Sequence, residues 1–259
     1  MKKIILILIC AMCCAGEADA QFNMIDKAIK VVRAGVNTTK AITLSDSDVR
    51  KLSRQFREQL DSTWNMLPPD SAASVRLANM TEKVISVDGT TLNFGVFDMD
   101  IVNAFAFGDG SIRITTALMD VMDDSEILAI IGHELGHIAG KDTKEAMKSA
   151  YYNAAIKDAA GLISDEIVKF TQSDWMKLAD AFTNAQFSQK QELAADDYAF
   201  QFCLDRGVDP YAMHNALNKL VKLSEGGKSS TVAQMFASHP DSELRAKRMK
   251  KKADEYTSR

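Results

Sequence analysis

Between Ser125 and Gly140 the chain places two imidazoles and a carboxylate inside a helical pattern that is otherwise apolar. Leu128, Ile131, Leu135 and Ile138 recur at helical spacing, Ser125 is a plausible cap, and Gly140 is a natural exit. Asp123, Asp124 and Glu126 put negative charge where a helix start favours it. In the middle stands His133-Glu134-Leu135-Gly136-His137. Spacing of four sets both imidazoles on one face, one turn apart. Two surface His and a salt-bridged Glu would be the bland reading. Ile130, Ile131, Leu135 and Ile138 argue against it, because polar groups within so apolar a helix are costly unless a partner satisfies them. A divalent metal is such a partner. Two His nitrogens can grip it, and Glu134 then projects beside a bound water whose pKa zinc lowers toward about 7.

A catalytic zinc takes three protein ligands and keeps one position open. A third His ten residues after the first would complete one known pattern, but that position is Thr143. The alternative is an acid from a later helix. Gln191-Glu192-Leu193-Ala194-Ala195-Asp196-Asp197 offers Glu192 as the third ligand, with Asp196 on the same face to accept a hydrogen bond from a ligand imidazole. By itself this stretch reads as the charged first turn of a solvated helix; a two-His site lacking a ligand turns the balance.

The rest of the 259 residues is ordinary for a globular protein: 46% apolar, 25% charged, net charge −4. That excludes a disordered or collagen-like chain and argues against nucleic acid as a partner. The first twenty residues differ. Lys2 and Lys3, an apolar run from Ile4 to about Ala15, and Ala18-Asp19-Ala20 describe a secretory signal peptide cut after Ala20, bacterial in style. Lipid attachment at Cys10, Cys13 or Cys14 is the less favoured alternative, since none follows a small residue in the usual arrangement. The mature chain, 21–259, reads as one domain with no stretch of transmembrane length, placed in the periplasm. Its single Cys203 lies in an apolar helical pattern and reads as a buried, inert thiol.

Helical periodicity runs from Ser45 through Val49, Leu52, Phe56 and Leu60 and stops before Pro68-Pro69, then resumes over 72–85. The period becomes two at Leu92, Phe94 and Val96. It returns at Phe105 and Phe107 and at Ile112 and Ile114, flanking Gly108-Asp109-Gly110 as a β-hairpin. Helices are expected over 146–163, 165–185, 188–206 and 210–224, a break at Gly226-Gly227, and a closing basic segment from Asp241 to about Tyr256. The fold class is α+β, helix-rich with one small early sheet.

Taken in order, these landmarks resemble the zinc metallopeptidase family of HtpX and the CAAX prenyl proteases, of the gluzincin type, over roughly residues 70–250. They are Asn103-Ala104-Phe105-Ala106, the His133–His137 motif, Glu192-x-x-x-Asp196, Gly207-Val208-Asp209-Pro210, and Ser238-His239-Pro240 followed by Arg245. The absence of transmembrane helices makes the chain similar to the small exported bacterial members. Many relatives have a further His near the place of Asp142; that position is not a metal ligand in the family.

The resemblance implies a zincin-like fold with the sheet near the metal helix, one zinc ion held by His133, His137 and Glu192, and endopeptidase activity on polypeptides with Glu134 as general base. It implies that His239 lies near the metal, stabilising an oxyanion or capping the metal at rest, against the plainer reading of a turn His before Pro240. Arg245 either anchors that loop through a carboxylate or sits solvated, and His214 reads as structural. Asn103, Ala104 and Phe105 belong to an edge strand that pairs with substrate backbone, or simply to a sheet strand. The basic run Arg245–Lys252 is a solvated face or a peripheral contact with anionic lipid. Compartment and analogy suggest unfolded or damaged envelope proteins as substrates. A non-catalytic, metal-stabilised binding or chaperone-like module is the rival, disfavoured because a structural site is closed by four Cys or His ligands.

Overall fold

The computed structural model describes residues 45–153 and 171–259. The expected leader with Cys10, Cys13 and Cys14 lies outside these residues, as do the end of the helix expected over 146–163 and the start of that over 165–185. Helix α1 (Asp46–Thr63) starts at a capping box in which Ser45 and Asp48 satisfy each other's backbone N–H, and it buries the expected Val49, Leu52, Phe56 and Leu60. Helix α2 (Ala72–Thr81) ends four residues before the expected position 85. Thr81 is buried with its hydroxyl bonded back to the Leu77 carbonyl at 2.9 Å, and the chain then turns into strands.

Strands β1 (Ser86–Val87) and β2 (Thr90–Thr91) form a short antiparallel pair. The main sheet has β3 (Asn93–Phe97), β5 (Ser111–Thr115) and β4 (Ala104–Ala106) in the order β3-β5-β4. The hairpin β4–β5 turns through Gly108-Asp109-Gly110 as the alternation predicts, with Ala104 opposite Ile114 and Ala106 opposite Ile112. Strand β3 runs parallel to β5, a pairing that alternation does not disclose. β4 is therefore an edge.

Helix α3 (Thr116–Val121) leads into α4 (Asp124–Ala139), the helix of the metal motif. Its cap is Asp123 rather than Ser125. Asp123 Oδ1 accepts the Glu126 N–H and Glu126 returns the bond to the Asp123 N–H, each at 2.9 Å, which sets the start two residues earlier. Every residue from Ala129 to Ile138 is buried, so α4 is the axle of the core rather than an amphipathic surface helix.

Around it lie α5 (Asp142–Asn153), α6 (Gln172–Thr183), α7 (Gln189–Leu204), α8 (Ala212–Leu223), α9 (Ser229–Ser238) and α10 (Ser242–Thr257). The expected break at Gly226-Gly227 is a π-helical turn, Ser224–Lys228, that passes straight into α9, a helix the sequence did not announce. Cys203 is buried on α7 with its thiol pushed up to about 12 by burial, the inert group expected. Among the described residues no helix is long and apolar enough to cross a membrane.

The approach of α7 to α4 decides whether a site can form. A methyl at Gly136 would stand 2.8 Å from the Ala195 Cα and 3.0 Å from the Tyr198 Cβ, and one at Gly132 would meet Phe202 at 2.9 Å. Both glycines let the backbones close, and the α7 residues they touch flank Glu192 and Asp196. Gly136→Ala must push backbone, not a flexible side-chain end. We expect it to lower stability by about 1–3 kcal/mol and to weaken metal binding together, measured by thermal unfolding and chelator competition. An unchanged metal affinity would separate helix packing from the site.

Candidate metal centre

The spacing of four on α4 turns His133 and His137 to one side, with ring centroids 4.6 Å apart and Nε2 atoms 3.1 Å apart. Glu192, in the first turn of α7, brings its carboxylate between them. Oε1 lies 3.3 Å from His137 Nε2 and Oε2 lies 3.5 Å from His133 Nε2. His239 arrives from the corner between α9 and α10. Its Nδ1 is 3.0 Å from Glu192 Oε1 and 3.3 Å from His133 Nε2. That corner is made by Asp241, a non-glycine in the left-handed region at φ 61, and by the bond from the Phe187 N–H to the Ser238 carbonyl at 3.2 Å. All four side chains are buried, and one donor atom from each lies within 4.8 Å of the others.

The outward nitrogens are taken. His133 Nδ1 faces Asp196 at 3.1 Å and His137 Nδ1 faces Asp142 at 2.9 Å, so each Nδ1 carries a proton and each Nε2 turns inward, where it can ligate a metal in the neutral ring. Two ring nitrogens and a carboxylate crowd one point, which is unfavourable unless a proton or a metal cation sits among them. The 3.1 Å between the two Nε2 atoms, and the 3.3 and 3.5 Å from them to the two oxygens of Glu192, are close to the edge of about 3.3 Å in a tetrahedron with ligand bonds near 2.0 Å, with the carboxylate offering one oxygen to each imidazole. The residues present fit a tetrahedral metal ion.

Arg245, from α10, is buried rather than solvated. It grips Asp196 with two parallel bonds, Nε to Oδ2 at 2.9 Å and Nη2 to Oδ1 at 2.7 Å, and its Nη1 contacts Glu192 Oε2. Of the other cations in the basic run, Arg248 and Lys252 pair with Asp197 on α7, and Lys247 and Lys250 with acids on their own helix. His214 bonds the Ala246 carbonyl at 2.9 Å, a structural role as expected. Asp142 and Phe187 were given no part by the sequence. Phe187 stacks on the His137 ring at 3.9 Å. The signal for Asp142, an acid five residues past a ligand and beyond a helix exit, follows no helical period.

Protonation follows the partners. Burial opposes a charge on His137, but hydrogen bonds to Asp142 and Glu192 and the nearby Glu134 outweigh it and raise its pKa to about 9. Burial and the Arg245 cation lower that of His133 despite Asp196. Burial would raise both acids, yet the imidazoles of His137 and His239 hold Glu192 well below the carboxylate range, and Arg245 and His133 lower Asp196 to about 2. The metal-free site thus keeps one proton, on His137, that a metal must displace. Affinity should climb as pH rises and level off above about 9. Calorimetry at pH 7 in buffers of different ionisation enthalpy should register about one proton released per metal bound; none released would contradict the assignment.

Glu134 projects from the same helix, and its Oε1 is buried, has no hydrogen-bond partner, and lies 3.8 Å from His239 Nε2. It opens on a cleft shared with Asn103, Ala104, Phe105, Ala106, Phe187 and His239, so the three residues expected on the substrate side do meet the motif. The Thr115 N–H bonds the Asn103 carbonyl at 3.1 Å and the Phe107 N–H bonds the Ser111 carbonyl at 2.9 Å. Asn103, Phe105 and Phe107 therefore spend their backbone groups on β5, and Ala104 and Ala106 direct theirs to the free edge. The Ala104 N–H is held by Asn103 Oδ1 at 3.0 Å. The Phe105 ring packs against Trp64 and Phe97, so this strand serves core and cleft at once.

Residues 74–253 match the model of peptidase family M48. The chain belongs to this family. The M48 peptidase is 35% identical to metalloprotease LoiP of Escherichia coli over 85% of its own length and 86% of the relative's. It is 32% identical to metalloprotease YcaL of the same organism, over 85% of each. A further relative, the beta-barrel assembly-enhancing protease of Escherichia coli O157:H7, is 28% identical over 60% of this chain and 33% of the relative. This M48 chain is accordingly a metallopeptidase acting on polypeptides, and the His/Glu cluster is where its geometry accommodates the metal.

Proposed function

We propose that this M48 peptidase is a zinc endopeptidase of the bacterial envelope that cleaves unfolded or damaged proteins, exported by the segment 1–20. The observation that carries the reading is the convergence of two inward imidazole nitrogens and the Glu192 carboxylate, with donor atoms within 4.8 Å of one another, beside a buried Glu134 oxygen that has no hydrogen-bond partner and shares a cleft with an edge strand. His133, His137 and Glu192 hold the ion. Zinc, when bound, supplies a Lewis acid that acidifies water and polarises the scissile carbonyl.

The protein's own groups do the rest. The carbonyl of Ala104 and the N–H of Ala106 bind substrate backbone as an added strand, which selects extended chain with little regard to sequence. Glu134 takes the proton of the attacking water and returns it to the leaving amide nitrogen. Asp196, fixed by Arg245, keeps the proton of His133 on Nδ1, so that Nε2 stays a ligand. His239 carries its Nδ1 among the donor atoms, which favours a cap on the metal at rest over an oxyanion contact.

One relative's name ties it to β-barrel assembly, and this accords with an envelope role for the chain. The zinc-loaded protein should degrade unfolded casein and spare a compact, disulfide-closed protein. Equal cleavage of both would remove the preference for unfolded chains, and cleavage of neither would remove the peptidase.

A further inference from the structure

We propose that Asp142 is a positioning residue for the second imidazole of the metal centre, held in place by Gln191 so that the two ligand-bearing helices lock to each other through one hydrogen-bond relay. The inference rests on the metal-centre reading and adds to it Gln191 and the tie between the two helices.

Four neighbouring features build the relay. Gly140 ends α4, and a methyl there would lie 3.1 Å from Asp142 Oδ2, so its bare Cα leaves the room the carboxylate occupies. Lys141 follows in the left-handed region at φ 63, where a side chain is disfavoured, and this reversal brings Asp142 back toward a ring five residues earlier. Asp142 Oδ2 then accepts from His137 Nδ1 at 2.9 Å. Its other oxygen, Oδ1, accepts from Gln191 Nε2 at 2.7 Å.

Gln191 is fixed in turn. Its Oε1 closes the capping box of α7, accepting from the Ser188 N–H at 2.8 Å and the Ser188 hydroxyl at 2.7 Å. The amide can therefore present only its NH2 to Asp142. The residue after Gln191 is Glu192, so the start of the helix that delivers the acid ligand is tied through two side chains to the second His ligand of α4.

The pattern is specific in its polarity. Asp142 faces donors on both sides and must be an acceptor twice, which a carboxylate satisfies and an Asn does not. It also differs from the companion pair, because Asp196 is neutralised by buried Arg245 whereas Asp142 is held by a neutral amide.

The test reads zinc affinity by competition with a chelating dye on the full chain, with apo-protein thermal unfolding alongside. Asp142→Ala should weaken zinc binding by about 10- to 100-fold and also lower the apo melting temperature, because it removes the acceptor of a buried imidazole and unties α4 from α7. Asp142→Asn, which turns one donor against another, should lose affinity by a smaller factor. The double variant Asp142→Asn with Gln191→Glu exchanges donor and acceptor at constant charge: the Asn NH2 donates to the new carboxylate, whose second oxygen keeps the capping box. It should bind zinc within about threefold of wild type. An Asp142→Ala protein of undiminished affinity overturns the proposal, as does a double variant no tighter than Asp142→Asn; the second comparison stands even where the Asp142→Ala chain would fail to fold. Wild-type protein that binds no zinc would instead remove the metal-centre reading on which this rests.

Discussion

Glu134→Gln should abolish peptide hydrolysis while leaving the metal in place. General-base assistance is worth roughly 10²–10⁴ in rate, and no second carboxylate of the described site opens on the cleft without a partner, so kcat/KM should fall about a thousandfold. Glu134 is not among the donor atoms that cluster, so bound zinc should be unchanged. Its Oε1 is buried without a hydrogen bond, and the isosteric amide removes a desolvated charge, so the variant should melt no lower than wild type. Activity on casein with parallel metal analysis and unfolding reads all three. Retention of a tenth or more of the activity would take the base away from Glu134.

Arg245→Ala is expected to have the largest effect on stability. The residue is 1% exposed, and its guanidinium answers both Asp196 and Glu192. Truncation leaves two buried carboxylates without their cation, and breaking such a pair costs about 3–5 kcal/mol. At roughly 2–4 °C per kcal/mol for a domain of this size, the melting temperature of the metal-free protein should drop by roughly 6–20 °C. Arg245→Lys should recover only part, because an ammonium cannot make the two parallel bonds. A melting temperature within a few degrees of wild type in the Ala variant would show that the charges relax into water instead.

Periodicity carried some of this and not the rest. His133, Glu134 and His137 were legible because a helix converts a spacing of four into a shared face, and Glu192 and Asp196 share a face of α7 by the same rule. Asp142 obeys no period, since it reaches His137 through a left-handed residue after the helix exit, and that geometry is not written in apolar spacing. Gln191 looked like one more polar residue of a helix start, because its amide oxygen does cap α7 while its NH2 group does something else.

Larger elements failed for related reasons. Alternation identified β3 and β5 but is blind to which strands pair and in what direction. Two adjacent glycines usually end a helix, yet here Gly226 and Gly227 are absorbed into a wider helical turn that leads on to α9 and delivers His239. The Arg245–Lys252 run is the expected solvated face at Lys247, Lys250 and Lys251. Charge patterning could not decide between the two readings of Arg245, which takes the carboxylate anchor inside the site, nor show that Arg248 and Lys252 clamp α10 onto Asp197 of α7.

Everything turns on whether an acid from α7 and the paired imidazoles of α4 close around one ion. Elemental analysis of purified protein, wild type beside Glu192→Ala, measures this directly. About one zinc per wild-type chain and almost none in the variant is the result expected of a three-ligand site. Full zinc content in Glu192→Ala, or none in the wild type, would contradict it.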